Sequence, residues 1–127
     1  MNENDLSKII VDCAYKIHVE IGPGLLESVY ELILYEKLKN AGLNVERQCP
    51  IKINYENRKF NKGFIADIIV KREVIIELKS KDCLHPVDKM QLLAYLKMTG
   101  LKLGLLINFG EHLIKDRIKR IINGKIN

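Results

Sequence analysis

Apolar residues near the start of the chain recur every three or four positions: Leu6, Ile9, Ile10, Cys13, Ile17 and Ile21 form one such series. That period predicts an amphipathic helix over 5–21, with Asp5 as its N-cap and Gly22-Pro23-Gly24 as its stop. A second helix is predicted from Leu25 to Ala41, turning Leu26, Val29, Tyr30, Ile33, Leu34 and Leu38 inward, with Gly42 after its end. The period then falls to two. Ile51 and Ile53 alternate with Lys52 and Asn54 in a strand from Val45 to Tyr55, Glu56-Asn57-Arg58 turns the chain, and Phe60 to Val70 returns as a second strand. After a tight turn at Lys71-Arg72-Glu73, the run Val74 to Ser80 (VIIELKS) is too apolar for an edge and belongs centrally in a sheet. His85-Pro86 opens a third helix through Gln91 and Tyr95 to Met98, closed by Gly100. Leu103 to Asn108 reads as a last buried strand. Residues 112–122 read as a terminal helix with Leu113, Ile114, Ile118, Ile121 and Ile122 on its core-facing stripe. The order α-α-β-β-β-α-β-α describes an α/β fold: a mixed sheet flanked by helices, an antiparallel meander followed by a helical crossover into one more strand.

Composition narrows the class. A chain of 127 residues is expected to form a single domain, 1–127. Its 47% apolar and 29% charged residues suit a packed globule and exclude a disordered or fibrous chain. No apolar run approaches the ~20 residues of a membrane span. The first residues, MNENDLSK, carry acids where a signal peptide needs basic residues, so neither membrane nor secretion is expected. Cys13, Cys49 and Cys83 are odd in number and form no CxxC pair. That argues against a disulfide scaffold or zinc ribbon and for the cytoplasm.

Charge is uneven along the chain. Residues 1–45 carry 4 basic and 7 acidic side chains (−3), residues 46–96 carry 10 and 7 (+3), and residues 97–127 carry 7 and 2 (+5). The basic end, with Lys115, Arg117, Lys119 and Arg120 on the predicted terminal helix, suits a polyanion, because each cation set against a phosphate releases counterions. Lys115 with Lys119, and Arg117 with Arg120, would flank the apolar stripe on its two sides. A solvated face serving only solubility is the alternative.

Three polar residues interrupt the buried strands, where an unpaired charge is costly. Asp67 breaks the run Phe64-Ile65-Ala66-Asp67-Ile68-Ile69-Val70, and Glu77 and Lys79 end the run from Val74. Glu77 and Lys79 project from the same strand face. If the turn at 71–73 spans three residues, Val70 faces Val74 and Asp67 lies across from Glu77. Two carboxylates side by side repel unless a proton or a cation sits between them. A divalent cation held by Asp67, Glu77 and the carbonyl of Leu78 would suit Mg²⁺ or Mn²⁺. Lys79 could then orient a water or steady charge on a phosphate. An ordinary Glu–Lys pair at a sheet edge is the alternative. Gln91 and Tyr95, four apart, share one helix face, and Glu27 sits in a first helical turn, where the dipole favours its charge, with Tyr30 one turn on. His18 is expected to be packed or capping, His85 to open a helix, and His112 to belong to the basic end. No Ser-His-Asp order, phosphate-cradling glycine loop or dinucleotide fingerprint is present.

Taken together these motifs resemble a known family. Gly24-Leu25-Leu26-Glu27-Ser28-Val29-Tyr30 matches the signature of the GxxExxY family, a branch of the PD-(D/E)XK nuclease superfamily. IHVEIGPGLLESVYE, GFIADIIV, VIIELKS, QLLAYLK and LGLLINFG follow in that family's order, from about Leu6 to Ile122. The resemblance implies a restriction-endonuclease-like core and metal-site roles for Asp67, Glu77 and Lys79. The set Gly63, Asp67, Gln91 and Tyr95 is similar to RecB-like and phage-type exonucleases, which implies that Gln91 and Tyr95 position substrate or water and that Glu27 contributes to the metal site. Asp88 stands where the family often has histidine. The expected activity is Mg²⁺- or Mn²⁺-dependent phosphodiester hydrolysis of nucleic acid, with DNA as the expected substrate, through a D…ExK…QxxxY site. The competing expectation is a module that keeps the nuclease fold and grips nucleic acid or a protein without cutting. A second copy or a partner subunit is an open expectation, since so short a chain offers little surface for a long duplex.

Overall fold

The computed structural model of the chain describes residues 1–111 and 117–126. Helices α1 (Glu3–Ile21) and α2 (Glu27–Asn40) precede strands β1 (Val45–Tyr55), β2 (Arg58–Val70) and β3 (Val74–Lys79); helix α3 (Pro86–Thr99) crosses over to β4 (Leu103–Asn108), and β5 (Ile118–Ile122) follows. The α1 cap is Asn2, not Asp5. Asn2 accepts the Asp5 N–H (2.9 Å) while the Asp5 carboxylate accepts the Asn2 N–H (3.1 Å), a reciprocal box that places Asp5 third in the helix. In α2 the inward residues are Tyr30, Glu31, Leu34 and Leu38. Leu26, expected inward, caps the helix and is 73% exposed.

The sheet runs in the order β1-β2-β3-β4-β5. The meander β1–β2–β3 is antiparallel, β3–β4 is parallel through the α3 crossover, and β4–β5 is antiparallel. Glu56 and Asn57 (φ 49° and 61°) form a two-residue connection between the paired Tyr55 and Arg58, the left-handed geometry that a tight hairpin needs. Lys71 and Arg72 (φ 54° and 56°) make the next turn, and Val70 does pair with Val74. One sheet face, with Ile68, Val70, Val74, Ile76 and Leu78, packs on α1 and α2. The other, with Ile69, Ile75 and Leu106, packs on Leu92 and Leu96 of α3. Gly104 admits α3 at close range: a Cβ there would stand 2.8–2.9 Å from Leu92 side-chain atoms.

The mixed sheet flanked by helices is as expected, but its last element is not. Residues 118–122, predicted as the end of a helix, form β5 along the free edge of β4, with Ile107 opposite Ile118 and Leu103 opposite Ile122. All six residues of β4 are buried, and its backbone needs a partner on that side. The isoleucines of β5 divide between the layers, Ile118 joining the α1–α2 core and Ile121 the α3 core. Lys115, His112, Leu113 and Ile114 lie outside the described residues. Among the described residues no helix is long and apolar enough to cross a membrane.

Candidate active site

The ladder between β2 and β3 is regular from Val70–Val74 to Ile68–Ile76. One step further stand Asp67 and Glu77, and their side chains take over from the backbone. The Leu78 N–H donates to Asp67 Oδ2 (2.8 Å) and the Asp67 N–H to Glu77 Oε1 (3.4 Å). The two carboxylates that the turn arithmetic set opposite each other are thus brought together where the strands part. Asp67 also marks the point where the β1–β2 pair turns over. Abreast of it, Gln48 lies between the pairs Arg47–Ile68 and Cys49–Ala66 with a left-handed backbone (φ 51°). Ile68 faces the α1–α2 core, whereas Ala66, two residues back, faces α3. A non-glycine residue in that conformation costs about 1 kcal/mol or more and persists only where its surroundings enforce it.

Glu77 is 9% exposed. Burial first, and the Asp67 charge second, push its carboxyl up to about 8. The pair therefore lacks positive charge, and its donors are hard carboxylate oxygens, a set that suits a hard divalent cation. Among the described residues no group of three or more His, Cys, Asp and Glu side chains is close enough to hold a metal. Such an ion would need backbone oxygen and water to complete its shell. Lys79 is half-buried two residues beyond Glu77 on β3 and enters none of the ion pairs found among the described residues.

Glu27 is exposed at the start of α2. Its carboxyl is raised by partial burial, pulled back by Lys79 and pushed up again by Asp67, so it shares their field without joining a three-carboxylate cluster. Two hooks hold it there. The Ser80 hydroxyl donates to the Leu25 carbonyl (2.7 Å), tying the end of β3 to the loop before α2. The Tyr30 hydroxyl donates to the Gly22 carbonyl (2.5 Å) and accepts the Leu25 N–H (3.2 Å), while its fully buried ring stacks on Phe109 at 4.4 Å. Tyr30 is thus an anchor of the Gly22–Leu25 loop facing the core, not a second group on the face of Glu27. On α3, Gln91 is exposed one turn before Tyr95, and its side chain acts against the rise of the Tyr95 hydroxyl. Burial, then Glu77 and Asp67, raise the Tyr95 hydroxyl, so it stays a proton donor at neutral pH. The Tyr95 ring stacks on Phe64 of β2 with centroids 3.6 Å apart.

Three features escaped the sequence reading. Glu31, one turn after Glu27 and 4% exposed, accepts from Gln48 Nε2 (2.5 Å) and from Arg47 (3.0 Å), fastening α2 to the Gln48 kink. The only hint was an acid four residues after Glu27. Fully buried Asn108 accepts the Lys81 and Gly110 N–H groups and donates to the Lys81 carbonyl and to Glu111 (2.8 Å). Asp88 caps α3 by accepting the His85 N–H and pairs with Lys81 at 2.6 Å. His18 is buried, as expected, and donates Nε2–H to the Glu111 carbonyl (2.7 Å).

The basic residues at the end of the chain sit differently from the helical expectation. Arg117 pairs with Glu111 at 2.7 Å, Arg120 donates to Asn4 (2.7 Å), and Lys119 lies between them in β5. Arg117 and Lys119 border a groove of about 510 Å³ with His85 and Lys89 at the start of α3. Arg120, one residue on from Lys119 in a strand, points to the opposite layer.

Comparison with known proteins places this arrangement. No curated protein matches the chain significantly. The solved structure reported as "Crystal structure of SSO0001" aligns over 94% of this chain and 67% of its own at 20% identity and a TM-score of 0.44, too distant a likeness to carry function. The sequence profile of the PD-(D/E)XK nucleases matches residues 4–121, nearly the whole chain, and the protein belongs to the PD-(D/E)XK nuclease superfamily.

Proposed function

We propose that the chain is a divalent-cation-dependent phosphodiesterase acting on DNA, a nuclease of the GxxExxY branch with a RecB-like site. The observation that carries this reading is the Asp67–Glu77 pair at the parting of β2 and β3, with Lys79 next along the same strand. On this reading Asp67, Glu77 and the Leu78 carbonyl hold Mg²⁺ or Mn²⁺. When bound, the cation supplies positive charge against the negative charge that develops on the scissile phosphate. Lys79 holds the attacking water or a phosphate oxygen through its ammonium protons. Tyr95 and Gln91 offer a phenol and an amide to the phosphate, and Glu27 sets a further carboxylate at the rim. Arg117 and Lys119, beside the groove at the start of α3, are assigned to phosphate contacts, with Lys115 and Arg120 as the further cations of that end.

The test is cleavage by purified protein with Mn²⁺ on a panel of single-stranded, duplex and branched DNA. Lys79→Ala should lose at least about a hundredfold in rate, as removal of one preorganised charge-stabilising donor commonly does, while cation and DNA binding persist. Binding without cutting by the wild type, or undiminished cutting by Lys79→Ala, would replace this reading with that of a non-catalytic module.

A further inference from the structure

The β1–β2 pair outruns the sheet. β2 spans Arg58–Val70, but it pairs with β3 only through Ile68, Ile69 and Val70. The remainder, with its β1 partner, is a two-stranded ribbon that starts at the candidate site and ends at the Glu56–Asn57 turn. Residues directly opposite in an antiparallel pair share a face. One face of the ribbon therefore carries the pairs Cys49–Ala66, Ile51–Phe64, Ile53–Phe60 and Tyr55–Arg58 in succession. The register shift between Lys52 and Ile53 skips two residues of β2, an even number, so Phe60 and Phe64 stay on the same side. Gly63 makes the close packing at that shift possible, since any Cβ there would overlap the Ile51 carbonyl.

This face changes character along its length. At the base Cys49 and Ala66 are buried against α3, and Phe64 carries the ring of Tyr95. Beyond the reach of α3, Phe60 is 40% exposed and Tyr55 is 57% exposed. Large aromatic rings in water on a two-stranded ribbon bring no folding advantage. One cation shares their face: the Arg58 guanidinium, paired across from Tyr55, lies 5.6 Å from the Phe60 ring centre. Lys52 and Lys59 belong to the alternate pairs Lys52–Gly63 and Asn54–Lys59 and are exposed on the opposite face, so the ribbon is basic on both sides against the single acid Glu56. Two exposed rings with Arg58 beside them, continuing the row of the Tyr95–Phe64 stack, form the surface expected for a strand whose bases stack and whose phosphates meet a cation.

We propose that the ribbon is a platform for unpaired nucleotides of the substrate. Bases stack on Phe60 and Tyr55, the phosphate between them meets Arg58, and the strand continues past Phe64 and Tyr95 towards Asp67 and Glu77. The proposal builds on the nuclease reading and deepens it, because it names single-stranded nucleic acid, as an overhang, flap or free strand, as the form that the site receives. A duplex keeps its base faces stacked inside the helix and has none to offer these rings.

The experiment measures binding, not cutting, so the two readings fail separately. Fluorescence anisotropy with a labelled single-stranded oligonucleotide and with a matched duplex, in EDTA at fixed salt, reads affinity for wild type, Tyr55→Ala, Phe60→Ala and the double variant. Each alanine should weaken single-strand binding at least about fivefold, the low end of what one base on one ring contributes, and leave duplex binding within twofold. Tyr55→Phe and Phe60→Trp should restore affinity, which separates stacking from a general loss of fold. Thermal melting of every variant should stay near wild type, since both rings are solvent-exposed. Unchanged single-strand affinity in the double variant, or an equal loss for duplex, overturns the proposal. A wild type that binds the single strand through these rings but cuts nothing leaves the platform standing and removes only the nuclease reading.

Discussion

Lowering the pH from 8 to 6 should weaken Mg²⁺ or Mn²⁺ binding to this protein by about fiftyfold, and the cause is one residue. Glu77 is almost enclosed and faces Asp67, and the two effects push its carboxyl up to about 8 from an ordinary 4.5. Below that value the pair holds a proton that a cation must displace. Well under the midpoint each pH unit then costs a factor of ten in apparent affinity, and with half the protons already gone at pH 8 the two units amount to roughly 2 kcal/mol. Calorimetric titration of metal-free protein at pH 6, 7 and 8, in buffers of different ionisation enthalpy, reads both quantities. The log of apparent affinity should climb with a slope near one and level off above the midpoint. The protons released per cation should fall from about one at pH 6 towards zero above pH 8. Folding stability gives an independent reading. Because the folded value is the raised one, the folded state holds the proton between about 4.5 and 8 while the unfolded chain has lost it. In EDTA, stability should therefore decline by several kcal/mol as pH rises through that window, and the cation should reverse the decline at its upper end. Glu77→Gln, which keeps the neutral shape, should abolish the decline together with the steep metal response. Cation affinity that is equal at pH 6 and pH 8, with no proton released, would refute the reasoning.

Three structural substitutions test how the site is held. Tyr30→Phe keeps the buried ring but loses the bonds to Gly22 and Leu25, and should cost about 1–2 kcal/mol in urea unfolding, with a loss of any cleavage activity beyond what the melting shift explains, since the loop carries Glu27. Gly63→Ala should destabilise by more than about 1 kcal/mol, because its methyl group meets the Ile51 carbonyl and the ribbon must shift; a melting point equal to wild type would contradict that packing. Asn108→Ala strips partners from the Lys81 backbone and from Glu111 in a fully buried setting and should cost about 3 kcal/mol, measured by chemical denaturation.

Much of this protein is legible one residue at a time. Helix stops at Gly22 and Gly100, the proline opening α3, the hairpin at Glu56–Asn57 and the central place of VIIELKS all follow from local conformational limits or from a short apolar run. The placing of Asp67 across from Glu77 needs only the length of one turn. These features are local, so the chain carries its own information about them. What tertiary structure decided is of another kind. Ile118, Ile121 and Ile122 fit a helical stripe as well as a strand that serves two layers, and the free edge of β4 made the choice. Leu26 looked like core by period but came to rest at the helix cap, where no layer reaches it. The buried placement of Glu31, the turn-over of β1 and β2 at Gln48, and the hooks from Ser80 to Leu25 and from Tyr30 to Gly22 join segments remote in sequence or distinct in element. Hydrophobic period reports which side of an element is buried; it is silent on which neighbour buries it and on which backbone edge still wants a partner.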